Sequence, residues 1–574
     1  MTFYKFLAHD KNYTSWDMFD MLTNSKQTFT FDPVKHKLFN GDIFSLPEQD
    51  TVRIEHSIIR TGSQLPGVLI LADNKTYGRK KKKLLYKCVP DDIRLPSFLI
   101  PYEMKQIGFS KVFVNLYVTF SCVDWKDKHP NGILNHVIGN IDILDNFYEY
   151  QLYRKSLNNS LQQFQKDAIK AINTNKPDDF IHAIKIKYPS IEDRIDQVKW
   201  PIFSIDPSNS LDLDDAFSVQ YIDANTTKLS IYISNVTVWI DVLNLWDSLS
   251  RRISTIYLPD KKRPMLPTNL SECLCSLISN ITRVAFYIDI SITDNLITDI
   301  KYGNCFVKLY KNYTYDESAL LKDANYTFLF ETTTALSHKY KYMNFIKNSH
   351  DVVSYLMILM NYKCAKSIVS HNVGIFRSTV INKDTIVVPD TIPHEVSNFI
   401  KITNSTGGVY INGATITNNT IIKHEFLDVD AYIHITSPIR RLVDLLNIIK
   451  FQEVHQIIKL SDKAYDFYNR WLGDIDYINV TMKSIRKIQV DCNLLDRCYQ
   501  DKNIINQTHN GYIFNKISKN DGMFQYIVYL PDLKLSSRIT VKDEYNNFEN
   551  HKFNLFLFQD EDTFKRKIRL QIVK

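Results

Sequence analysis

The chain is organised around one stretch, Phe203-Ser204-Ile205-Asp206-Pro207-Ser208-Asn209-Ser210-Leu211-Asp212-Leu213-Asp214-Asp215-Ala216-Phe217. This stretch places four carboxylates within ten residues and flanks them with apolar, strand-forming sequence. Two carboxylates ~4 Å apart repel by about 1 kcal/mol in water and by about 4 kcal/mol at an effective dielectric constant of 20. Because that repulsion needs a positive partner, the pattern predicts a divalent metal ion held by oxygen ligands.

The leucines between the acids favour a built site over a solvated acidic turn, which is the alternative. Leu211 and Leu213 are expected to be buried, and side chains along an extended segment alternate between two faces. Asp212 and Asp214 should therefore share a face. The proline and the Ser-Asn-Ser turn after Asp206 allow the chain to fold back, so that Asp206 can join them.

The composition indicates an ordinary globular protein of several domains, with 574 residues, 44% hydrophobic and 23% charged. An excess of 70 basic over 63 acidic side chains permits a polyanionic partner, and 33 Tyr with 33 Phe suit base stacking as well as cores. The eight cysteines form no zinc-binding or disulfide pattern. No signal peptide and no apolar run of roughly 20 residues is recognised. These features predict a soluble protein of the cytoplasm or the nucleus.

The pattern of short strands and helices predicts a multidomain α+β chain, with a mixed α/β body between small β-barrels. Residues 61–146 are rich in short strands and are predicted to form a barrel of the oligonucleotide-binding (OB) or cold-shock type. Residues 1–60 are expected to be a truncated barrel, and residues 147–188 a helical connector. The body covers residues 189–503, and residues 504–574 return to strands as a C-terminal OB-like barrel.

A basic run follows Tyr77-Gly78 at the expected tip of a hairpin. It consists of Arg79, Lys80, Lys81, Lys82 and Lys83. Clustered cations beside aromatic residues are typical of nucleic-acid contacts, so nucleic-acid contact is predicted here. A solvated loop or a localisation signal is the alternative.

A second motif lies in residues 432–444, around Ser437-Pro438-Ile439-Arg440-Arg441. Serine is a good N-cap and proline suits the first helical position, so both arginines are expected in the first turn of a helix. Cations there oppose the helix dipole, whereas free N–H groups and a guanidinium together suit a phosphate. The alternative is a salt bridge from Arg441 to Asp444, which would leave Arg440 functional.

These motifs, in this order and with Ile256-Tyr257-Leu258-Pro259 between them, resemble the RNB (ribonuclease II) exoribonuclease family over roughly residues 60–574. The cold-shock-like part is most similar to the exosome-associated eukaryotic branch. The resemblance implies processive 3′→5′ hydrolysis of single-stranded RNA to nucleoside 5′-monophosphates. It also implies two Mg²⁺ ions, with Mn²⁺ as a substitute, an in-line displacement, and single-stranded RNA as the partner. Association with RNA-decay machinery is left open.

The resemblance also assigns roles by position. The metal-binding acids would be Asp206, Asp212, Asp214 and Asp215. The catalytic residues would be Asp214, Asp215 and Arg440, with Arg440 on the scissile phosphate. RNA would be bound by Tyr257, Arg440, Arg441 and the basic run. Tyr257 would pack on the 3′-terminal nucleotide, although its local sequence alone favours a core tyrosine.

Three departures from the family pattern bear on function. No N-terminal nuclease domain is recognised, and Ile448 and Ile449 stand where a His-Arg pair is usual. A glutamate linked to sugar recognition aligns to Tyr355, and reading the 2′-hydroxyl needs a specific partner. The rival hypotheses are a catalytically inactive RNB protein that regulates by binding RNA, and an endonuclease. Retention of all four acids counts against the inactive protein.

Overall fold

The computed structural model describes the chain except residues 1, 29–31, 49–50, 63, 104–112, 175–176, 224, 344, 381–386, 406, 418–419, 562–563 and 574. Its contacts divide it into two compact units. The first contains Met1–Asn158, Leu258–Asp260 and Ile488–Lys574, and the second contains Asn159–Tyr257 and Lys261–Lys487. Helices and sheets occur in both, which confirms the predicted multidomain α+β class.

The first unit contains three sheets with related strand orders. The N-terminal sheet runs Lys26–Gln27, Trp16–Asp20, Phe3–Ala8, Ile43–Glu48 and Thr51–His56. The C-terminal sheet runs Leu535–Val541, Phe524–Leu530, His509–Ser518, Asn550–Gln559 and Arg566–Ile572. Numbered along the chain, both have the order 3-2-1-4-5 with antiparallel neighbours. The N-terminal segment therefore carries a five-stranded sheet, and the truncated barrel expected for residues 1–60 stays a prediction.

The second sheet of this unit closes into a barrel. Its strands are Leu65–Leu69, Arg79–Lys80, Lys83–Pro90, Phe98–Tyr102, Leu116–Asp124 and Asn131–Asn140. Setting aside the two-residue strand of the hairpin, the remaining five pair in the ring 1-2-3-5-4-1. Strands 3 and 5 are parallel and the others antiparallel, which is the OB arrangement. The closing pair distinguishes this sheet from the other two.

The second unit is built on a seven-stranded mixed sheet. Its strands, in order across the sheet, are Glu192–Arg194, Leu296–Val307, Arg283–Thr293, Thr226–Ser234, Asp215–Tyr221, Phe203–Asp206 and Lys311–Thr314. Two short hairpins accompany it, Ile256–Tyr257 with Lys262–Arg263 and Ile375–Ser378 with Val409–Asn412. One face of the large sheet packs on helices through a core that includes Ile231, Phe286 and Leu356. Burial of that face stabilises the sheet and fixes the positions of strands Phe203–Asp206 and Asp215–Tyr221.

The α-helices of the described chain complete the two units. They are Ile58–Thr61, Leu144–Arg154, Gln162–Ile172, Pro177–Lys187, Val236–Val242, Ser318–Leu321, Ala324–Lys339, Ser349–Ile368, His394–Thr403, Leu442–Val454, Asp462–Gly473, Ile475–Gln500 and Asn503–Asn506. Helix Leu144–Arg154 belongs to the first unit, while Gln162–Ile172 and Pro177–Lys187 belong to the second. The helices expected as a connector over residues 147–188 are thus divided between the units.

One helical stretch, Ser349–His371, is long and apolar enough to cross a membrane by length and composition alone. The expectation that no apolar run approaches that length misses this stretch. Its side chains Val352, Leu356, Leu359 and Cys364 are buried in the core of the second unit. A buried core helix of this kind passes the same test, so the finding is weak evidence for a membrane span.

Candidate active site

Two adjacent strands bring the acids together. Asp206 is the last residue of strand Phe203–Asp206, and Asp215 is the first residue of strand Asp215–Tyr221. These strands are antiparallel neighbours in the large sheet, with Phe203 opposite Phe217. The intervening loop carries the other two acids, so that all four lie at one end of the sheet.

The acidic loop is fixed by hydrogen bonds to a neighbouring segment. The N–H of Leu213 donates to Ser276 Oγ at 3.0 Å, and that hydroxyl donates to the Leu211 carbonyl at 2.9 Å. The Leu277 N–H donates to the Leu213 carbonyl at 3.0 Å. Leu213 is buried as predicted, but Leu211 is 57% exposed, so its predicted burial is wrong. The loop is held by its backbone bonds and by Leu213, and these contacts leave Leu211 at the surface.

Arg440 reaches the acids from a turn that precedes a helix. Its Nε donates to Asp214 Oδ2 at 3.1 Å, and the Ile439 N–H donates to Asp214 Oδ1 at 2.9 Å. Its Nη2 also donates to Ser437 Oγ at 3.2 Å. About half of the Arg440 side chain, 49%, remains exposed. The guanidinium therefore both pairs with Asp214 and stays accessible to a ligand.

The predicted helix start is wrong by four residues. The helix begins at Leu442, not at Pro438, and Arg441 precedes it in an extended conformation. The reason is strand-like pairing with a distant segment: the Thr255 N–H donates to the Arg440 carbonyl, and the Leu442 N–H donates to the Ile253 carbonyl, both at 2.9 Å. Arg440 is thus held by long-range backbone bonds and not by the first turn of a helix.

The second arginine has a structural partner. Arg441 donates to both carboxylate oxygens of Asp444, and Asp444 also accepts the Ser437 N–H at 2.8 Å. Asp444 is fully buried. The salt bridge considered for Arg441 is confirmed, and it fixes the turn that carries Arg440. Ile448 and Ile449 follow in the same helix and are fully buried in its packing.

The acids, Arg440 and Tyr257 line one cavity of about 850 Å³. The polar and aromatic residues around it are Asp206, Asn209, Ser210, Asp212, Asp214, Asp215, Tyr257, Lys262, Tyr315, His350, Ser354 and Arg440. A cavity of this size accommodates a nucleotide. The structure therefore brings together every predicted site residue of the body except Arg441.

Burial dominates the electrostatics of the acids. It raises the pKa of Asp206 to about 6, against a hydrogen bond from Ser204 that lowers it. It raises the pKa of Asp214 to about 7, even though Arg440 acts in the opposite direction. The pKa of Asp215 is raised well above its usual range by burial and by the neighbouring Asp206 and Asp214. Keeping these groups ionised near neutral pH calls for additional positive charge.

Tyr257 and a lysine absent from the sequence predictions contact the remaining acid. Tyr257 Oη donates to Asp212 Oδ2 at 3.3 Å, and Lys262 Nζ lies 3.1 Å from Asp212 Oδ1. Tyr257 is 39% exposed as a residue, so it is not the core tyrosine that its local sequence favours. Lys262 was missed because no sequence spacing connects it to Asp212, fifty residues earlier.

The donor set suits a divalent cation, although it is not assembled as a complete ligand cage. In the described part of the chain, no three His, Cys, Asp or Glu side chains converge on a common metal position. Among the residues that the structure describes, the buried oxygen Asp215 Oδ2 has no hydrogen-bond partner, and Ser204 is the donor to the Asp206 carboxylate. Unpaired carboxylate oxygens with burial-raised pKa values are suited to oxygen coordination of a hard cation.

Tyr315 and His350 form an aromatic pair at the cavity, which the sequence did not predict. Tyr315 and His350 stack with ring centroids 3.6 Å apart and an interplanar angle of 10°. The Tyr315 N–H donates to the Asp206 carbonyl at 3.1 Å, which ties this pair to the acidic strand. The sequence shows a tyrosine directly after strand Lys311–Thr314. Tyr315 lies near the acids because that strand pairs with Phe203–Asp206.

Tyr355 does not face the cavity. It is fully buried, and its hydroxyl donates to the Tyr340 carbonyl at 3.0 Å. Its neighbour Ser354 lines the cavity instead. The residue aligned with a sugar-reading glutamate is therefore part of the core.

The basic run lies in the first unit. Among the described residues, no hydrogen bond marks a binding site there. Arg79–Lys80 and Lys83 form the hairpin predicted from the sequence, and Lys81 occupies its tip with φ of 56°. All five side chains are exposed. Their contact with RNA stays a prediction.

Comparisons with known proteins agree with the motifs. Residues 194–327 match the family model described as RNB domain. The chain is 33% identical over 160 residues to DIS3-like exonuclease 2 of Schizosaccharomyces pombe. These 160 residues are 28% of this chain and 16% of that protein. The chain thus spans only a small part of the length of this relative.

Two solved structures share the fold at low identity. Mycoplasma genitalium RNase R in complex with ribose-methylated single-stranded RNA matches 99% of this chain and 100% of that chain, with TM-score 0.68 and 15% identity. Yeast Ssd1, a pseudonuclease, matches 96% of this chain and 80% of that chain, with TM-score 0.58 and 12% identity. The sequence match confirms the resemblance seen in the motifs: residues 194–327 of this chain are similar to the RNB domain.

Proposed function

We propose that this chain is a divalent-metal-dependent exoribonuclease that hydrolyses single-stranded RNA processively from its 3′ end and releases nucleoside 5′-monophosphates. The observation that carries the proposal is the meeting of four buried carboxylates with Arg440 and an exposed Tyr257 in one cavity. Acids that need a cation, beside a guanidinium that can meet a phosphate, are what phosphodiester hydrolysis requires.

The exposed ring of Tyr257 would stack on the 3′-terminal base, because its hydroxyl is held by Asp212 and its ring stays accessible. The exposed half of Arg440 would donate to the scissile phosphate while its Nε remains near Asp214. Both contacts come from side chains that are already fixed in position. They would orient the phosphate over the acids.

Asp206 and Asp215 would hold a divalent ion, Mg²⁺ or Mn²⁺. Asp212 and Asp214 are the other two carboxylates of the site. The ion would lower the pKa of the attacking water. Asp214, which is buried beside this position, would accept the proton of that water. The water oxygen bonds to phosphorus, and the bond from phosphorus to the 3′ oxygen of the preceding nucleotide breaks. That oxygen takes a proton from solvent and becomes a 3′-hydroxyl, and Asp214 returns its proton to solvent. The released nucleotide keeps its 5′ phosphate.

The second candidate is an inactive protein of the same fold that binds RNA as a regulator. The observation in its favour is the likeness to Ssd1, which is described as a pseudonuclease. Against it, this chain keeps an acid at each of the four positions, and each lines the cavity. An intracellular location, cytoplasmic or nuclear, belongs to the proposal and is supported by eight cysteines that form no disulfide in the described structure.

The deciding experiment incubates a 5′-labelled single-stranded RNA with the chain and Mg²⁺. A 3′-shortened ladder or a short limit product supports the exonuclease, and unchanged RNA that is nevertheless bound supports the regulator. Asp214→Asn should leave RNA binding nearly intact and reduce cleavage by orders of magnitude. Cleavage of a circular RNA would instead indicate an endonuclease, and equal cleavage by the variant and the natural chain would refute the site.

A further inference from the structure

Lys262 occupies an unusual place between two acids of the cavity. A short hairpin pairs Ile256–Tyr257 with Lys262–Arg263 and sets Lys262 directly opposite Tyr257. From there its Nζ lies 3.1 Å from Asp212 Oδ1 and 2.6 Å from Glu272 Oε1. Lys262 and Asp212 are both largely buried. The ammonium is therefore held in a low-dielectric position by two carboxylates.

The four acids differ in how far the chain itself satisfies them. Asp214 has both oxygens engaged, by Arg440 and by the Ile439 N–H. Asp212 also has both oxygens engaged, by Lys262 and by Tyr257. By contrast, Asp215 Oδ2 has no partner in the described structure. Arg440 and Lys262 thus neutralise Asp214 and Asp212. Asp206 and Asp215 remain available to an external ion.

We propose that Lys262 is a positioning residue that supplies the positive charge at Asp212 in place of a second divalent ion, so that the acidic site holds a single ion. This inference rests on the proposed function, in which the acidic site binds a divalent metal ion. A divalent ion on Asp212 would lie within a few ångströms of the Lys262 ammonium, where like charges in a buried setting repel strongly. Two ions, as the family resemblance implies, would therefore require Lys262 to leave.

A second consequence concerns Tyr257. Because Lys262 fixes one oxygen of Asp212, the other oxygen is presented to the Tyr257 hydroxyl at 3.3 Å. The stacking ring is thereby oriented through Asp212 by a residue that does not itself touch the base. Loss of the Lys262 charge should weaken RNA-end binding as well as change the metal count.

The test counts bound ions directly. Mn²⁺ is titrated into the metal-free full chain at pH 8, and free Mn²⁺ is measured by its electron paramagnetic resonance signal. We expect one Mn²⁺ per natural chain, two for Lys262→Gln, and one for Lys262→Arg, which restores the charge. Lys301→Gln, the same change at an exposed lysine paired with Glu192, is the matched control and should bind one.

The activity arm uses the Mg²⁺ dependence of RNA cleavage. The dependence should be first order in Mg²⁺ for the natural chain and approach second order for Lys262→Gln, with KM for RNA raised several-fold. Two Mn²⁺ ions on the natural chain overturn the inference whatever the variants do, and so does a single ion on folded Lys262→Gln. Ion counts as expected but no RNA cleavage would refute the proposed nuclease and leave the role of Lys262 standing. A natural chain that binds no ion would overturn both.

Discussion

Replacing Asp214 by asparagine should change how the stability of this protein depends on pH. The Asp214 carboxyl has a pKa of about 7 in the folded chain against an ordinary 3.8, because its burial disfavours the charged form. Between these values the unfolded chain loses its proton first, so stability falls as pH rises from about 4 to about 7. A rise of about 3 pH units in pKa, at ~1.4 kcal/mol per unit, amounts to about 4 kcal/mol of destabilisation at pH 8 from this one group.

Asparagine carries no titrating proton and keeps the shape of the side chain. The free energy of unfolding of Asp214→Asn should therefore fall less between pH 5 and pH 8 than that of the natural chain, by about 3 kcal/mol, because about 2 pH units of the rise in pKa lie within this window. The favourable effect of Arg440 on the ionised carboxyl is already contained in the pKa of about 7, so it adds nothing further to this difference. The burial penalty is intrinsic to the site, so the effect should be seen without any ligand.

The measurement is urea unfolding at pH 5 and pH 8 in EDTA, which removes divalent ions. Asp299→Asn makes the same chemical change at an exposed strand residue and should leave the pH dependence unchanged. Added Mg²⁺ should restore stability to the natural chain at pH 8, because the ion binds the ionised acids. Identical pH dependence in Asp214→Asn and the natural chain would refute the argument that burial controls this carboxyl.

Two further outcomes follow from the geometry. Tyr257→Ala should raise KM for RNA by one to two orders of magnitude, since base stacking contributes about 1–3 kcal/mol, whereas Tyr257→Phe keeps the ring and should stay within a few-fold; equal effects would contradict a stacking role. Asp444→Asn should destabilise the protein by about 3–5 kcal/mol, because it leaves Arg441 without its buried partner; a melting temperature equal to that of the natural chain would show that Arg441 finds other contacts.

Much of this protein follows from the sequence alone. Four acids in ten residues with leucines between them predicted an oxygen-lined cation site, because adjacent carboxylates repel without a counter-charge. Short strands separated by turns predicted the barrel of residues 61–146, which the structure shows as a closed ring in OB order. Ser437 to Asp444 predicted both a phosphate-facing arginine and the alternative pair of Arg441 with Asp444. The structure shows the pair of Arg441 with Asp444, whereas Arg440 donates to Asp214 and its contact with a phosphate stays a prediction.

Other features were decided only by tertiary contacts. The start of helix Leu442–Val454 is set by backbone bonds to residues 253–255, which local capping rules cannot anticipate. Lys262 reaches Asp212 across fifty residues, and Tyr315 reaches the acids through a parallel strand pair. Leu211 is exposed although it alternates with the acids, because the loop is held by Ser276 instead. Local sequence therefore determined which chemistry is present, whereas long-range pairing decided which charges and rings meet, since those contacts depend on distances that no local spacing encodes.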